Sequence, residues 1–192
     1  MCKTTDIIDT RLWQKLSVRI HKDSVSKGFW DEDHPLNHCF MLVVCELCEA
    51  IEADRKGRYA KKIIAIDQLY DYVFPIAYET HIKGSVEEEL ADTAMRLLDI
   101  IARMGWVIDD IVRPSCVSFR HYGSFPLLCY SITEDLVCRE FGDRYAVLWA
   151  FYKILAIAYQ YDIDLLEHIE MKMKYNKQRP SIMVKDTNTS HK

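Results

Sequence analysis

The scarcity of residues that turn the chain is the sequence feature that most constrains this fold. Glycine and proline number only 6 and 5 in 192 residues. An all-β fold of many short strands needs tight turns, which depend mainly on these two residues. Long segments instead repeat apolar residues at helical intervals, as Leu90, Ala94, Leu97 and Ile101 do. The sequence therefore predicts an all-α protein, a helical bundle of about five helices.

The length and composition are those of one globular domain. Of the 192 residues, 49% are hydrophobic and 28% are charged, which is enough to bury one core. We expect the domain to span residues 1–180, with an insertion at about 54–84 and a flexible tail over 181–192. Helices are expected over about 9–22, 36–53, 58–80 (ended or bent around Pro75), 85–104 and 143–175, with a loop over 113–126 and a short helix after it that ends near 141.

Charge, cysteines and hydropathy exclude several classes of function. A net charge of −4 argues against a protein that coats a nucleic-acid polymer through a basic surface. The odd number of cysteines, 7, and their apolar helical surroundings indicate reduced thiols and a cytoplasmic location. We expect no signal peptide and no membrane partner, because no segment reaches the roughly 18 uncharged residues of a membrane span.

Two pairs of acidic residues stand out at helical spacing. Glu46 and Glu49 are three residues apart in an otherwise apolar run, and Glu89 and Asp92 repeat this spacing in a second predicted helix. Each pair lies on one helix face. Such a face is either a narrow solvated stripe or a set of oxygen ligands for a hard cation. Two converging pairs are enough for a metal site, which would compensate the cost of burying carboxylates.

These motifs resemble those of the MazG-like all-α nucleotide pyrophosphohydrolases, which include dCTP pyrophosphatases, dimeric dUTPases and phosphoribosyl-ATP pyrophosphatases. Glu46-Leu47-Cys48-Glu49 is similar to the family's first Glu-x-x-Glu pair, and Glu89-Leu90-Ala91-Asp92 is similar to its later Glu-x-x-Asp pair. The resemblance implies that Glu46, Glu49, Glu89 and Asp92 are catalytic and bind Mg²⁺, with Mn²⁺ as a substitute.

Two flanking segments extend the resemblance. Trp30 and His34 precede the first acidic pair at a spacing similar to that of dCTP pyrophosphatases, in which an aromatic residue and a histidine contribute to nucleotide binding. Near the C-terminus, Lys172, Asn176 and Arg179 match positions of the family's closing helix. The resemblance implies that these five residues bind substrate. Without it, a tryptophan near a helix entrance is also a packing anchor, and cations near a helix C-terminus also complement its dipole.

The function implied by the resemblance is Mg²⁺-dependent hydrolysis of a nucleoside triphosphate to the monophosphate and pyrophosphate, in cleansing of the nucleotide pool by a homodimer or homotetramer. A noncatalytic helical interaction protein and a phosphoribosyl-ATP pyrophosphatase are the alternatives. The sequence departs from the family in two respects. Thirty-nine residues separate Glu49 from Glu89, more than in compact members, and Arg96 stands where the family often has an aromatic residue.

Overall fold

The structure is a computed structural model that describes residues 9–60, 70–109 and 123–178. These residues form seven α-helices and no strand, so the predicted all-α bundle is confirmed, although the helices are more numerous than the five or so expected. In chain order they are α1 (Thr10–Ser26), α2 (Leu36–Arg55), α3 (Phe74–His81), α4 (Val86–Arg103), α5 (Phe125–Cys138), α6 (Asp143–Gln160) and α7 (Leu165–Gln178).

Side-chain caps begin α1 and α4 close to where the sequence predicts helix starts. The Asp9 carboxylate accepts a hydrogen bond from the backbone N–H of Leu12 at 3.0 Å. The Ser85 hydroxyl accepts one from the backbone N–H of Glu88 at 3.2 Å. These bonds satisfy N–H groups that have no partner within the first turn. Gly105, at φ +64° just after α4, fits the predicted stop, because glycine tolerates this left-handed conformation.

Pro75 begins a helix instead of ending one. We expected a helix over 58–80 that ends or bends around Pro75, but Pro75 lies in the first turn of α3. Proline fits there because the first N–H groups of a helix need no partner within it. Residues 61–69 of that expected helix, residues 110–122 of the connecting region and the expected tail over 181–192 lie outside the described residues.

The long helix expected over 143–175 is two helices. α6 ends at Gln160 and α7 begins at Leu165, and between them Asp162 adopts a left-handed conformation with φ 55°. Aspartate tolerates this conformation better than most residues. Apolar residues recur at helical intervals on both sides of the break. Their spacing alone therefore predicted one continuous helix. This split takes the six helical segments predicted from the sequence to seven helices.

Helix α4 is the centre of the bundle. It packs against α1, α2, α6 and α7, while α5 packs against α6 and α2. The predicted apolar positions of α4 are fully buried: Leu90, Ala94, Leu97, Leu98 and Ile101. Because α4 is central, polar groups on its sides face neighbouring helices. Glu88, Glu89 and Asp99 are accordingly buried despite their charge.

Helix α3 packs against α7 through a second, smaller apolar cluster. This cluster contains Phe74, Tyr78 and Ile82 together with Met171 and Tyr175. The rings of Tyr78 and Tyr175 stack with their centroids 4.4 Å apart. α3 is therefore attached to the bundle from outside its main core.

The described cysteines are free thiols in different environments. Cys39 and Cys129 are buried, whereas Cys45, Cys48 and Cys138 are exposed. The apolar surroundings of the latter three in the sequence therefore do not place them in the core. Among the described residues, none of the helices has the length and apolar character to cross a membrane.

Candidate functional site

The packing of α2 against α4 brings three of the four predicted ligand carboxylates together. One oxygen each from Glu46, Glu49 and Glu89 lies within 4.8 Å of the other two. Glu49 is exposed, Glu46 is half-buried and Glu89 is buried, so the cluster runs from the surface into the α2–α4 contact. Helical spacing places Glu46 and Glu49 on one face, and the tertiary contact adds Glu89.

The chemistry of this cluster fits a hard divalent cation. Its ligand atoms are carboxylate oxygens, which Mg²⁺ prefers, and Mg²⁺ commonly takes only a few of them and keeps several waters. Oxygens bound to one octahedral Mg²⁺ are about 3.0 Å apart when adjacent and about 4.2 Å apart when opposite. The three oxygens of this cluster lie within 4.8 Å of one another. Three like charges at this spacing repel one another unless a cation or protons intervene. Small side-chain movements would suffice for Glu46, Glu49 and Glu89 to share one ion.

Asp92, the fourth predicted ligand, is bound to a lysine. The Lys172 ammonium lies 2.5 Å from Asp92 Oδ2 and 2.6 Å from Glu88 Oε1. Glu88 also accepts hydrogen bonds from the Tyr78 hydroxyl at 3.0 Å and from the backbone N–H of Gly84. Lys172, predicted to bind phosphate, therefore lies beside the acidic site and balances two of its carboxylates.

Glu88 is a site residue that the sequence analysis missed. In the sequence it is one of three consecutive glutamates, and its position there indicates either a cap with Ser85 or the solvated face of the predicted helix. Its ammonium partner, Lys172, is 84 residues away in the chain. No local spacing indicates such a pair.

Burial and mutual repulsion change the protonation of the acidic groups. Burial first, and then the negative charges of Glu88, Asp92 and Glu49, raise the pKa of Glu89 to about 8. Burial also raises the pKa of Asp92 to about 7, against the opposing charge of Lys172. Although burial by itself favours a neutral lysine, the charges of Asp92 and Glu88 raise the pKa of Lys172 above its ordinary value. Glu89 and Asp92 therefore keep their protons to a higher pH than ordinary carboxyl groups do.

Arg96 connects the carboxylates to an aromatic crevice. Its Nε donates to Glu46 Oε1 at 3.1 Å, and its guanidinium lies 5.3 Å from the centre of the Phe29 ring. The position that departs from the family pattern thus holds Glu46 in place. The crevice beside it is about 10 Å³, room for roughly one water molecule, and it is lined by Phe29, Trp30, Cys39, Leu42, Arg96, Asp99 and Ile100.

Trp30 is fixed by a buried carboxylate and is not a free stacking surface. Its indole N–H is 3.2 Å from both oxygens of Asp99, which also bonds His21 Nδ1 at 2.6 Å. The guanidinium of Arg103 lies 4.0 Å from the Trp30 ring centre. Trp30 is therefore anchored by Asp99 and also lines the crevice. Neither Asp99 nor His21 was singled out in the sequence, since each looks like a surface residue of an amphipathic helix.

Two further predicted substrate residues, His34 and Asn176, contact aromatic and basic residues. His34 stacks on His38, with ring centroids 4.5 Å apart, and its ring is 6.1 Å from that of Trp30. Asn176 is half-buried on α7, one turn after Lys172, and its backbone carbonyl accepts a hydrogen bond from Lys27 at 3.1 Å. Arg179 lies outside the described residues.

Comparison with known proteins identifies no relative of this chain. No protein-family model, curated protein or solved structure matches it. The geometry and chemistry of the site are therefore the basis for assigning a function.

Proposed function

We propose that this protein is a Mg²⁺-dependent nucleoside triphosphate pyrophosphohydrolase. The observation that carries the proposal is the convergence of Glu46, Glu49 and Glu89 from two helices, with their oxygens within 4.8 Å of one another. A solvated acidic stripe does not require two helices to meet through their carboxylates. A carboxylate buried at the base of the cluster also costs free energy unless a cation or a proton compensates its charge.

In the proposed reaction, water attacks the α-phosphorus of the nucleotide. A new bond forms between the water oxygen and phosphorus, the bond from the α-phosphorus to the bridging α–β oxygen breaks, and pyrophosphate leaves. Glu46, Glu49, Glu89 and Asp92 would hold Mg²⁺, which supplies charge neutralisation for the triphosphate and promotes ionisation of water. One of these carboxylates accepts the proton of the attacking water.

Cationic and aromatic groups around the carboxylates suit the rest of a nucleotide. Lys172, within hydrogen-bonding distance of Asp92, supports a role in balancing phosphate charge close to the ion. Trp30 and His34 belong to the aromatic group next to Arg96, on the Glu46 side of the site. A base entering there would have to widen the crevice. The proposal includes Asn176 and Arg179 among the phosphate-binding residues and places the enzyme in the cytoplasm.

The test is release of pyrophosphate from a panel of canonical and modified nucleoside triphosphates, with and without Mg²⁺. We expect Mg²⁺-dependent release, partial replacement by Mn²⁺, and loss of activity in EDTA. Glu49→Gln removes one ligand charge at an exposed position and should lower kcat by about 100-fold or more. The protein should remain folded, because Glu49 is not in the core.

Glu52→Gln is the matched control. Glu52 lies one turn further along α2 and forms surface ion pairs with Arg55 and Lys56, outside the cluster. It should retain wild-type activity. If Glu49→Gln is as active as wild type across the panel, or if neither hydrolyses any triphosphate, the enzyme proposal fails and a helical interaction protein becomes the better explanation. Activity on phosphoribosyl-ATP alone would instead identify that narrower enzyme.

A further inference from the structure

A single ammonium group bridges two carboxylates beside the acidic cluster. The nitrogen of Lys172, on α7, lies 2.6 Å from Glu88 Oε1 and 2.5 Å from Asp92 Oδ2, and both carboxylates belong to α4. Glu88 and Asp92 are four residues apart, so they are neighbours on one helix face. None of the three side chains is more than 18% exposed. Water therefore screens the two negative charges little, and the lysine compensates most of them.

The surroundings of this nitrogen are also suited to a divalent cation. Calcium–oxygen distances in proteins are about 2.3–2.6 Å, and Mn²⁺ likewise prefers carboxylate oxygens. The nitrogen–oxygen distances around Lys172 are of that size. Glu88 is held in position by the Tyr78 hydroxyl, at 3.0 Å, and by the backbone N–H of Gly84. The nitrogen therefore lies in a preformed group of oxygens that a metal ion could also use.

Asp92 connects this position to the cluster of Glu46, Glu49 and Glu89. Glu89 and Asp92 are three residues apart on α4, which is the spacing of side chains on one helix face. Burial is the largest effect on the pKa of Glu89, but the negative charge of Asp92 also raises this pKa and the positive charge of Lys172 lowers it. Both groups are therefore close enough to act on the cluster.

We propose that Lys172 takes the place of a second metal ion, so that the acidic site binds one divalent cation per chain and not two. The inference rests on the Mg²⁺ site of the proposed function. In two-metal hydrolytic sites, two ions about 3.5–4 Å apart stabilise the attacking and the leaving oxygen. Here the second positive charge is an ammonium group that belongs to the chain itself. Asp92 is the carboxylate that the ammonium group and the Mg²⁺ site share.

The experiment counts the Mn²⁺ ions that the full chain binds in the absence of nucleotide, from the electron paramagnetic resonance signal of free Mn²⁺ during a titration. We expect one ion per chain for wild type. Lys172→Met leaves Glu88 and Asp92 without their cation, so a second ion should bind and the count should rise to two. Mn²⁺ should also raise the Tm of Lys172→Met more than that of wild type. Lys172→Arg keeps a cation in place and should still bind one ion.

Lys153→Met is the matched control. The Lys153 side chain is 18% exposed, close to the 12% of Lys172, but its nitrogen contacts one carboxylate, Asp135 at 2.6 Å, and the backbone carbonyl of Ser131 at 2.9 Å. Its loss should therefore leave the count at one ion. Glu88→Gln added to Lys172→Met removes one of the two freed carboxylates and should return the count from two to one.

Two ions in wild type overturn the inference, and so does a single ion in a folded Lys172→Met chain. A Lys172→Met chain that does not fold in saturating Mn²⁺ overturns it as well, because an ion in that place would replace the missing charge. A wild-type chain that binds no Mn²⁺ removes the metal site and both proposals with it. If the ion counts are as expected and no triphosphate is hydrolysed, only the proposed hydrolase function fails.

Discussion

The ammonium group of Lys172 lies between the buried carboxylate of Glu88 and the half-buried carboxylate of Asp92. Its side chain is only 12% exposed, and those of Glu88 and Asp92 are 3% and 18% exposed. Removing one partner of a buried ion pair leaves an uncompensated charge, a loss of about 3–5 kcal/mol. We therefore expect Lys172→Met to lower the free energy of unfolding by about that amount, measured by urea denaturation.

Lys177→Met provides the control for this prediction. Lys177 is on the same helix, but its side chain is 58% exposed and its nitrogen is 3.7 Å from Asp23. Surface pairs of this kind contribute about 0–1 kcal/mol. Equal losses in the two variants would show that Lys172 contributes no more than an ordinary surface lysine.

The buried Glu89 carboxyl makes stability depend on pH. Its pKa rises from an ordinary value of 4.5 to about 8 on folding, so between these values the folded chain holds a proton that the unfolded chain has lost. The free energy of unfolding therefore falls as pH rises through this window. In EDTA we expect a loss on the order of 2 kcal/mol between about pH 5 and pH 9, or roughly 4–8 °C in Tm.

Glu89→Gln tests the origin of this dependence, because glutamine keeps the shape of the side chain and does not titrate. The variant should have a flatter profile of Tm against pH, with part of the slope left from Asp92, whose pKa is about 7. Mg²⁺ should stabilise wild type more at pH 9 than at pH 5, since protons compete with the cation for the same oxygens. A wild-type Tm that does not fall with pH would contradict the raised pKa.

At the scale of helices, the cap of α4 differs from that of α5 in one hydrogen bond. Ser85 accepts a bond from the N–H of Glu88, whereas Ser124 precedes α5 without such a side-chain bond. Loss of a serine cap costs about 1 kcal/mol. Ser85→Ala should therefore lower the free energy of unfolding by about that amount, and Ser124→Ala by much less. Similar losses in both variants would mean that the Ser85 bond contributes little.

Local chemistry explains which helices the sequence predicts well. The starts of α1 and α4 follow from Asp9 and Ser85, whose caps act within three residues. The break between α6 and α7 was missed, because residues 161–164 contain neither glycine nor proline and apolar residues recur at helical intervals on both sides of them. Pro75 was misinterpreted because proline suits the first turn of a helix as well as the region after one.

In the candidate site, too, features set within one helix were predictable and contacts between helices were not. Spacing within one helix is local, and it predicts the proximity of Glu46 and Glu49, whereas Asp92, predicted as a ligand together with Glu89, pairs with Lys172. Contacts between helices depend on how the bundle packs, so the sequence could not give the bonds of Arg96 to Glu46 or of Lys172 to Glu88, which join residues 50 and 84 positions apart. From spacing alone, the convergence of Glu89 on α2 was one of two alternatives, and the family resemblance favoured it.

At the scale of the whole molecule, the two apolar clusters differ in how many helices support them. α4 contacts four other helices and contributes fully buried side chains such as Leu98 to the main core. α3 has eight residues and joins the smaller cluster against α7. A helix held on several sides opens only when the bundle unfolds, whereas a peripheral one can open by itself. The acidic site therefore lies on the most strongly supported helix.

Hydrogen exchange distinguishes these two levels of stability. We expect backbone amides of α4 to exchange only through global unfolding, and those of α3 to exchange about 100-fold faster or more, a difference of about 3 kcal/mol. Leu98→Ala should lower the free energy of unfolding by about 2–5 kcal/mol and accelerate exchange throughout α4. Ile76→Ala, at a position that is 68% exposed, should change neither quantity.

Equal protection of α3 and α4 would mean that the smaller cluster unfolds with the main core. In that case a change in α3 would reach Glu88 through Tyr78, whose hydroxyl bonds it, and would disturb the acidic site as much as a change in the core.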